Sequence, residues 1–104
     1  MSKTELHAED EVLVLEAKKK AKLVAKREVD DLKSVMSTVQ GRRFVMSQLD
    51  RTGLFRTSFT GNASTYFNEG RRDVGLRLLA DINETCPELY LIAQQEHLQE
   101  ANNA

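Results

Sequence analysis

The sequence predicts an all-α protein, with a long charged N-terminal helix followed by a small three-helix module. Three observations predict it. The first 40 residues contain no Gly, Pro or aromatic residue. Apolar residues recur at spacings of three and four, the period of a helix face. All five Gly and the one Pro lie between Gly41 and Pro87, where they punctuate helical patterns.

The first helix is expected from Thr4 to Val29, a stretch rich in Glu, Lys, Ala and Leu, all good helix formers. Val14, Ala17, Ala21 and Val24, then Leu32 and Val35, form a thin apolar stripe broken at Glu28. So narrow a stripe suits a partner helix better than a large core. The second helix is expected from Asp31 to Asp50 and can continue directly from the first. Leu32, Val35, Met36, Val39, Met46 and Leu49 recur along it at helical spacing. Gly41 interrupts it and marks a bend or a close contact. Gly53 stands where a left-handed residue ends a helix.

Leu54 to Gly61 is an apolar connector, with Phe55 and Phe59 expected to tuck against the helices. Asn62 is a suitable N-cap for a third helix from Ala63 to Glu84. Its expected inner face is Tyr66, Phe67, Gly70, Val74, Leu78 and Ile82. Gly70 and Gly75 each cost about 1 kcal/mol inside a helix, a cost that close packing of another backbone would offset. Thr85-Cys86-Pro87-Glu88 combines a capping-box pattern with Pro near a helix start. The fourth helix is expected from Pro87 to Glu100 with Leu89, Ile92, Ala93 and Leu98 inward, before a frayed tail.

The organisation is thus a charged helical extension, residues 1–32, and a helical module, residues 33–104. A module of roughly 70 residues has a core worth only a few kcal/mol and gains from association.

Charge is unevenly placed although the net is −1. Met1–Ala17 carries one Lys against five acids, and Lys18–Arg27 six bases and no acid. Gly41–Arg77 has seven Arg against three acids, and Leu78–Ala104 five acids with neither Lys nor Arg. Two basic zones therefore sit inside a balanced total. They can face phosphate or the neighbouring acidic segments.

One cysteine, Cys86, excludes an internal disulfide and a cysteine-based metal cluster. No apolar run approaches the length of a membrane span. The polar, acidic start is unlike a secretory signal, so the protein is expected to stay inside the cell that makes it.

Motifs of chemistry are scarce. Gly70-Arg-Arg-Asp-Val-Gly75 has the glycine spacing of a phosphate loop without its Lys and hydroxyl residue, and it lies in a helical pattern. His7 and His97 lie at opposite ends in polar contexts and read as surface residues. Glu69 and Asp73, four apart, share a helix face with Arg72 and Arg77 in reach, which reads as surface ion pairing. Cys86 beside Pro87 reads as a small capping or buried residue rather than a reactive thiol. No catalytic residue, metal ligand or cofactor is expected.

The arginines are the better candidates. Arg42, Arg43, Arg56, Arg71 and Arg72 can converge as a docking face for an acidic protein or a phosphate backbone, since guanidinium matches both planar anions. They can equally pair with Asp50, Glu69, Asp73 and Asp81 on a solvated face. Lys18, Lys19, Lys20 and Lys22 can contact nucleic acid or a partner. Gly70, Gly75, Phe55, Phe59 and Phe67 are the expected helix-packing residues.

The block from Gly41 to Tyr90 holds every aromatic residue and has seven Arg and no Lys. Within it, Gly41-Arg-Arg-Phe44, Thr52-Gly-Leu-Phe-Arg56, Ser58-Phe-Thr-Gly-Asn62, Phe67-Asn-Glu-Gly-Arg-Arg72, Val74-Gly-Leu76 and Cys86-Pro-Glu88 resemble a small family of tailed-phage proteins. The family's type member comes from a Bordetella podophage. The resemblance covers about half the chain and implies a product of the head-and-portal region of a phage genome, with no catalytic residues to carry over. It implies a minor, non-enzymatic virion protein at the portal, the head–tail connector or an internal core. Its partners would be portal or other virion proteins, in a multi-copy ring or homo-oligomer, with non-specific contact to packaged DNA and none to membrane. Its places would be the virion and, during assembly, the bacterial cytoplasm. A nucleic-acid accessory protein and an inhibitor of a host protein are the alternatives.

Overall fold

The computed structural model describes residues 3–55 and 64–103. It is all-α: α1 (Lys3–Met36), α2 (Val39–Arg51), α3 (Ser64–Thr85) and α4 (Pro87–Asn103). The chain divides into two units, Met1–Asp31 and Leu32–Ala104, so the end of α1 belongs to the second. In the first unit, every side chain described, from residue 7 to residue 31, is exposed.

The break between the first two helices comes later than the expected Val29–Asp31 boundary. Nothing in that stretch disrupts backbone hydrogen bonding, and α1 runs on to Met36. Thr38 then starts α2. It is extended (φ −113°, ψ 152°), and its Oγ1 accepts a hydrogen bond from the Gly41 amide at 2.9 Å. This N-cap satisfies one of the four amides that a helix start leaves without a partner. Gly41 is therefore not itself the bend. A Cβ at Gly41 would collide with the Val35 carbonyl oxygen, so only glycine lets α2 begin this close to the end of α1.

Gly53 ends α2 in the left-handed region at φ +70°, as the sequence leads one to expect. Thr52 closes the helix by donating its hydroxyl to the Leu49 carbonyl at 2.6 Å.

The core of the second unit is Met36, Val45, Met46, Leu49, Leu54, Ile82, Cys86, Tyr90 and Ala93, with Leu32, Leu78, Leu79 and Leu89 packed around it. The inner face of α3 thus holds as expected at Leu78 and Ile82 and differs in its first half. Gly75 and Ile82 are buried, while Tyr66, Phe67 and Val74 are exposed and Gly70 faces open space. The reason is the approach of the Thr52–Leu54 turn. A Cβ on Gly75 would strike the Thr52 side chain and lie 3.3 Å from the Leu54 Cβ, so α3 rests on its glycine rather than its aromatics. On α4, Tyr90 and Ala93 face inward, whereas Ile92 and Leu98 are exposed.

Leu54 is buried, but Phe55 is 61% exposed and does not tuck in. Phe59 and Asn62 lie outside the described residues. Between α3 and α4, Cys86 rather than Thr85 takes the cap position. Its amide donates to the Ile82 carbonyl at 2.8 Å, and its own carbonyl accepts from the Leu89 and Tyr90 amides. Pro87 follows at the first helical position, where the missing N–H costs nothing. Burial pushes the Cys86 thiol up, with nearby Glu88 adding to the rise and Lys33 opposing it. Burial pushes the Tyr90 phenol up in the same way.

Two predictions follow from these environments. Gly41→Ala should destabilise by about 1–3 kcal/mol through overpacking, whereas Gly70→Ala, in open space mid-helix, should stabilise by about 0.5–1 kcal/mol. Urea denaturation of the two variants checks the opposite signs. Both Cys86 and Tyr90 hold their protons more tightly folded than unfolded, so their contribution is intact below the ordinary thiol value of 9.0 and declines as pH rises through that value and tyrosine's 10.0. The urea midpoint should fall from about pH 8 to about pH 10, and the Cys86→Ala/Tyr90→Phe variant should show a shallower fall.

Candidate functional site

α2 presents two flanks at helical spacing. Arg42, Val45, Met46 and Leu49 are buried on one. Arg43, Ser47, Asp50 and Arg51 lie on the other and line a groove of about 690 Å³. Thr52 and Gly53 close one edge of it, Asn68 and Arg71 enter from α3, and His97 and Glu100 enter from α4. The alternation follows from the helix period: residues three, four and seven apart share a side.

Arg42 belongs to the core side. Its Nε donates to Glu96 Oε1 at 2.8 Å and its Nη1 to the Met36 carbonyl at 2.9 Å. A guanidinium committed twice inside the fold does not present itself for docking, which corrects the expectation for Arg42. Arg43 stays on the surface and donates to Glu100 at 3.1 Å, with both side chains more than half exposed. Such a bridge holds weakly and exchanges readily with a competing anion.

Arg71 donates to Asn68 Oδ1 at 2.9 Å and lies over the Phe67 ring, 5.2 Å from its centroid. Phe67 is 67% exposed, so it supports Arg71 from below rather than packing the helices together. The Arg51 side chain, at the end of α2, makes no hydrogen bond or ion pair among the described residues. His97 Nε2 stands 3.9 Å from Asp50 Oδ2, an attraction that operates only when the imidazole is protonated.

The groove therefore gathers three guanidinium groups and an imidazole against two carboxylates. It is a surface of planar, cationic donors that suits carboxylate or phosphate groups. Among the described residues no group of His, Cys, Asp and Glu is arranged to hold a metal ion.

Of the arginines singled out from sequence, the structure brings Arg43 and Arg71 together. Arg72 is half-buried and does not line the groove, and Arg56 lies outside the described residues. Lys18, Lys19, Lys20 and Lys22 are exposed on α1. Asp73 pairs with Arg77 at 3.1 Å, one helical turn on, and His7 with Glu11 at 3.3 Å. Sequence reasoning missed Arg51, Asn68, His97, Glu96 and Glu100. The spacing of Ala93 and Glu96 was a usable signal, since it sets Glu96 on the inward row of α4, with Glu100 one turn on at its exposed edge.

Replacing Arg42 with Met should destabilise by about 1–3 kcal/mol, because Glu96 and the Met36 carbonyl lose a charged donor. Arg43→Ala should cost less than about 0.5 kcal/mol, as an exposed pair does. Arg42→Lys should not rescue, since one ammonium lacks the fork that reaches both acceptors. Thermal unfolding of the three variants checks the order.

No described helix is long and apolar enough to cross a membrane. No curated protein and no solved structure matches the chain. Residues 32–95 do match a family of phage proteins, and the match begins at Leu32, where the second unit begins. It spans more than half of the chain, from the last turn of α1 through α2 and α3 into α4. On that match the chain belongs to the Bbp19-like phage protein family.

Proposed function

We propose that this phage protein is a minor structural component of a tailed-phage virion, placed at the portal, the head–tail connector or an internal core. It acts there without catalysis, by packing in several copies against portal or other virion proteins. The observation that carries this reading is the apolar surface left on a small fold. Phe44, Phe67, Tyr66, Val74, Leu91 and Leu98 are all exposed beside a core of nine buried residues. Exposed aromatic and aliphatic groups in such proportion are what interfaces cover. The cationic groove adds a docking surface for acidic protein, with Arg43, Arg51 and Arg71 as its contacts.

A second reading, a nucleic-acid-associated accessory protein, draws on Lys18, Lys19, Lys20 and Lys22, which project into solvent with no partner among the described residues. It requires DNA affinity that falls steeply with salt as counterions are released.

Mass spectrometry of purified, mature particles tests the first reading. The protein should be present in several copies per particle. Absence from mature virions, combined with salt-sensitive DNA binding by the purified chain, would replace it with the second.

A further inference from the structure

In the first unit, Val12, Leu13, Val14 and Leu15 are 52–62% exposed, and Leu23 is 69% exposed. Four successive residues cover more than half the circumference of a helix, so this apolar band is too broad to be an ordinary solvated face. The charges of the same helix indicate what covers it. The segment up to Ala17 carries five acids and one Lys, and Lys18–Arg27 carries six bases and no acid. Two such helices laid parallel would set acid against acid and base against base. Laid antiparallel, each acidic half meets a basic half. Flanking charges decide orientation in paired helices, and opposing like charges are costly. Antiparallel alignment also opposes the two helix dipoles.

We infer that α1 pairs with α1 of a second copy of the chain, antiparallel, about a centre between Leu15 and Glu16. About that centre the Val12–Leu15 band of each copy lies level with Glu16–Lys19 of the other, against Ala17 and the alkyl stems of Lys18 and Lys19. Glu9 comes level with Lys22 of the second copy, Glu11 with Lys20, and Val14 with Ala17. The lysine run then acts as the complement of the acidic half, and its alkyl stems cover the apolar band. The inference rests on the multi-copy part of the reading above and names the partner. Particle composition and helix pairing are measured separately, so either can fail while the other stands.

Zero-length carbodiimide cross-linking of the full chain, read by peptide mass spectrometry, tests it. Within one helix Glu9 and Lys22 are about 20 Å apart and Glu11 and Lys20 about 13 Å, so a direct amide between either pair forms only between copies. Both amides should appear, together with a dimer in sedimentation. Glu9→Lys/Glu11→Lys should weaken that dimer at least about tenfold, as should Lys20→Glu/Lys22→Glu. Mixing the two variants should restore association, because each supplies the charges the other has reversed. These substitutions sit on exposed positions, and circular dichroism confirms that the helices persist. A monomer at all concentrations would overturn the inference. So would a dimer that yields only one-turn links such as Glu16–Lys20, or one indifferent to both charge reversals.

Discussion

The second unit depends on a single guanidinium. Arg42 leaves α2 on its buried side and reaches two other elements: the Met36 carbonyl at the end of α1 and Glu96 on α4. The last carbonyls of any helix lack partners within it. Here one of them is buried, and an unmet acceptor there would cost as much as a lost hydrogen bond. Arg42 satisfies it with one nitrogen and uses another to hold α4. Gly41, one residue earlier, makes the geometry attainable by leaving room for the Val35 carbonyl oxygen. Once those two residues are placed, the helix period carries Val45, Met46 and Leu49 into the same core.

The opposite flank of α2 inherits the reverse situation. Arg43, Arg51 and Arg71 are held by exposed, exchangeable contacts or by none among the described residues. The same residue type thus has two roles in adjacent positions. Arg42 is desolvated and fixed, while Arg43 is solvated and free to change partner. A buried ion pair contributes through the satisfaction of its partners, and an exposed one leaves its donors open to competition. This difference, one helical residue wide, separates the core from the cationic groove.

Helix existence was legible in the sequence because it depends on local terms. Apolar spacing of three and four produced all four helices, with the bounds of α3 and the start of α4 within a residue of where the pattern set them and only the α1–α2 break displaced, and Gly53 ended α2 in the left-handed region. Helix faces were less legible. On α3 the expected inner row held at Leu78 and Ile82, but its N-terminal part, through Tyr66, Phe67 and Val74, is exposed, and Gly75 is buried instead. Hydrophobicity ranks side chains by the gain from burial, but it does not say which neighbour will come close. The Thr52–Leu54 turn came close at Gly75, where there was no side chain to exclude it. On α4 the same limit misplaced Ile92 and hid Glu96, because a carboxylate on an inward row makes sense only once its arginine is known.

What the sequence by itself determined is therefore the local part: an all-α chain, a long charged helix before a glycine-marked module, the left-handed stop at Gly53, and the resemblance to phage proteins. Backbone hydrogen bonds within a helix join residues four apart, so their pattern is written in neighbouring positions. What only the tertiary structure decided is the pairing of Arg42 with Glu96 and of Arg43 with Glu100, 54 and 57 residues apart, and with it the division between core and groove. Partners at such separation are chosen by which helix faces meet, and that choice is made by packing and not by period.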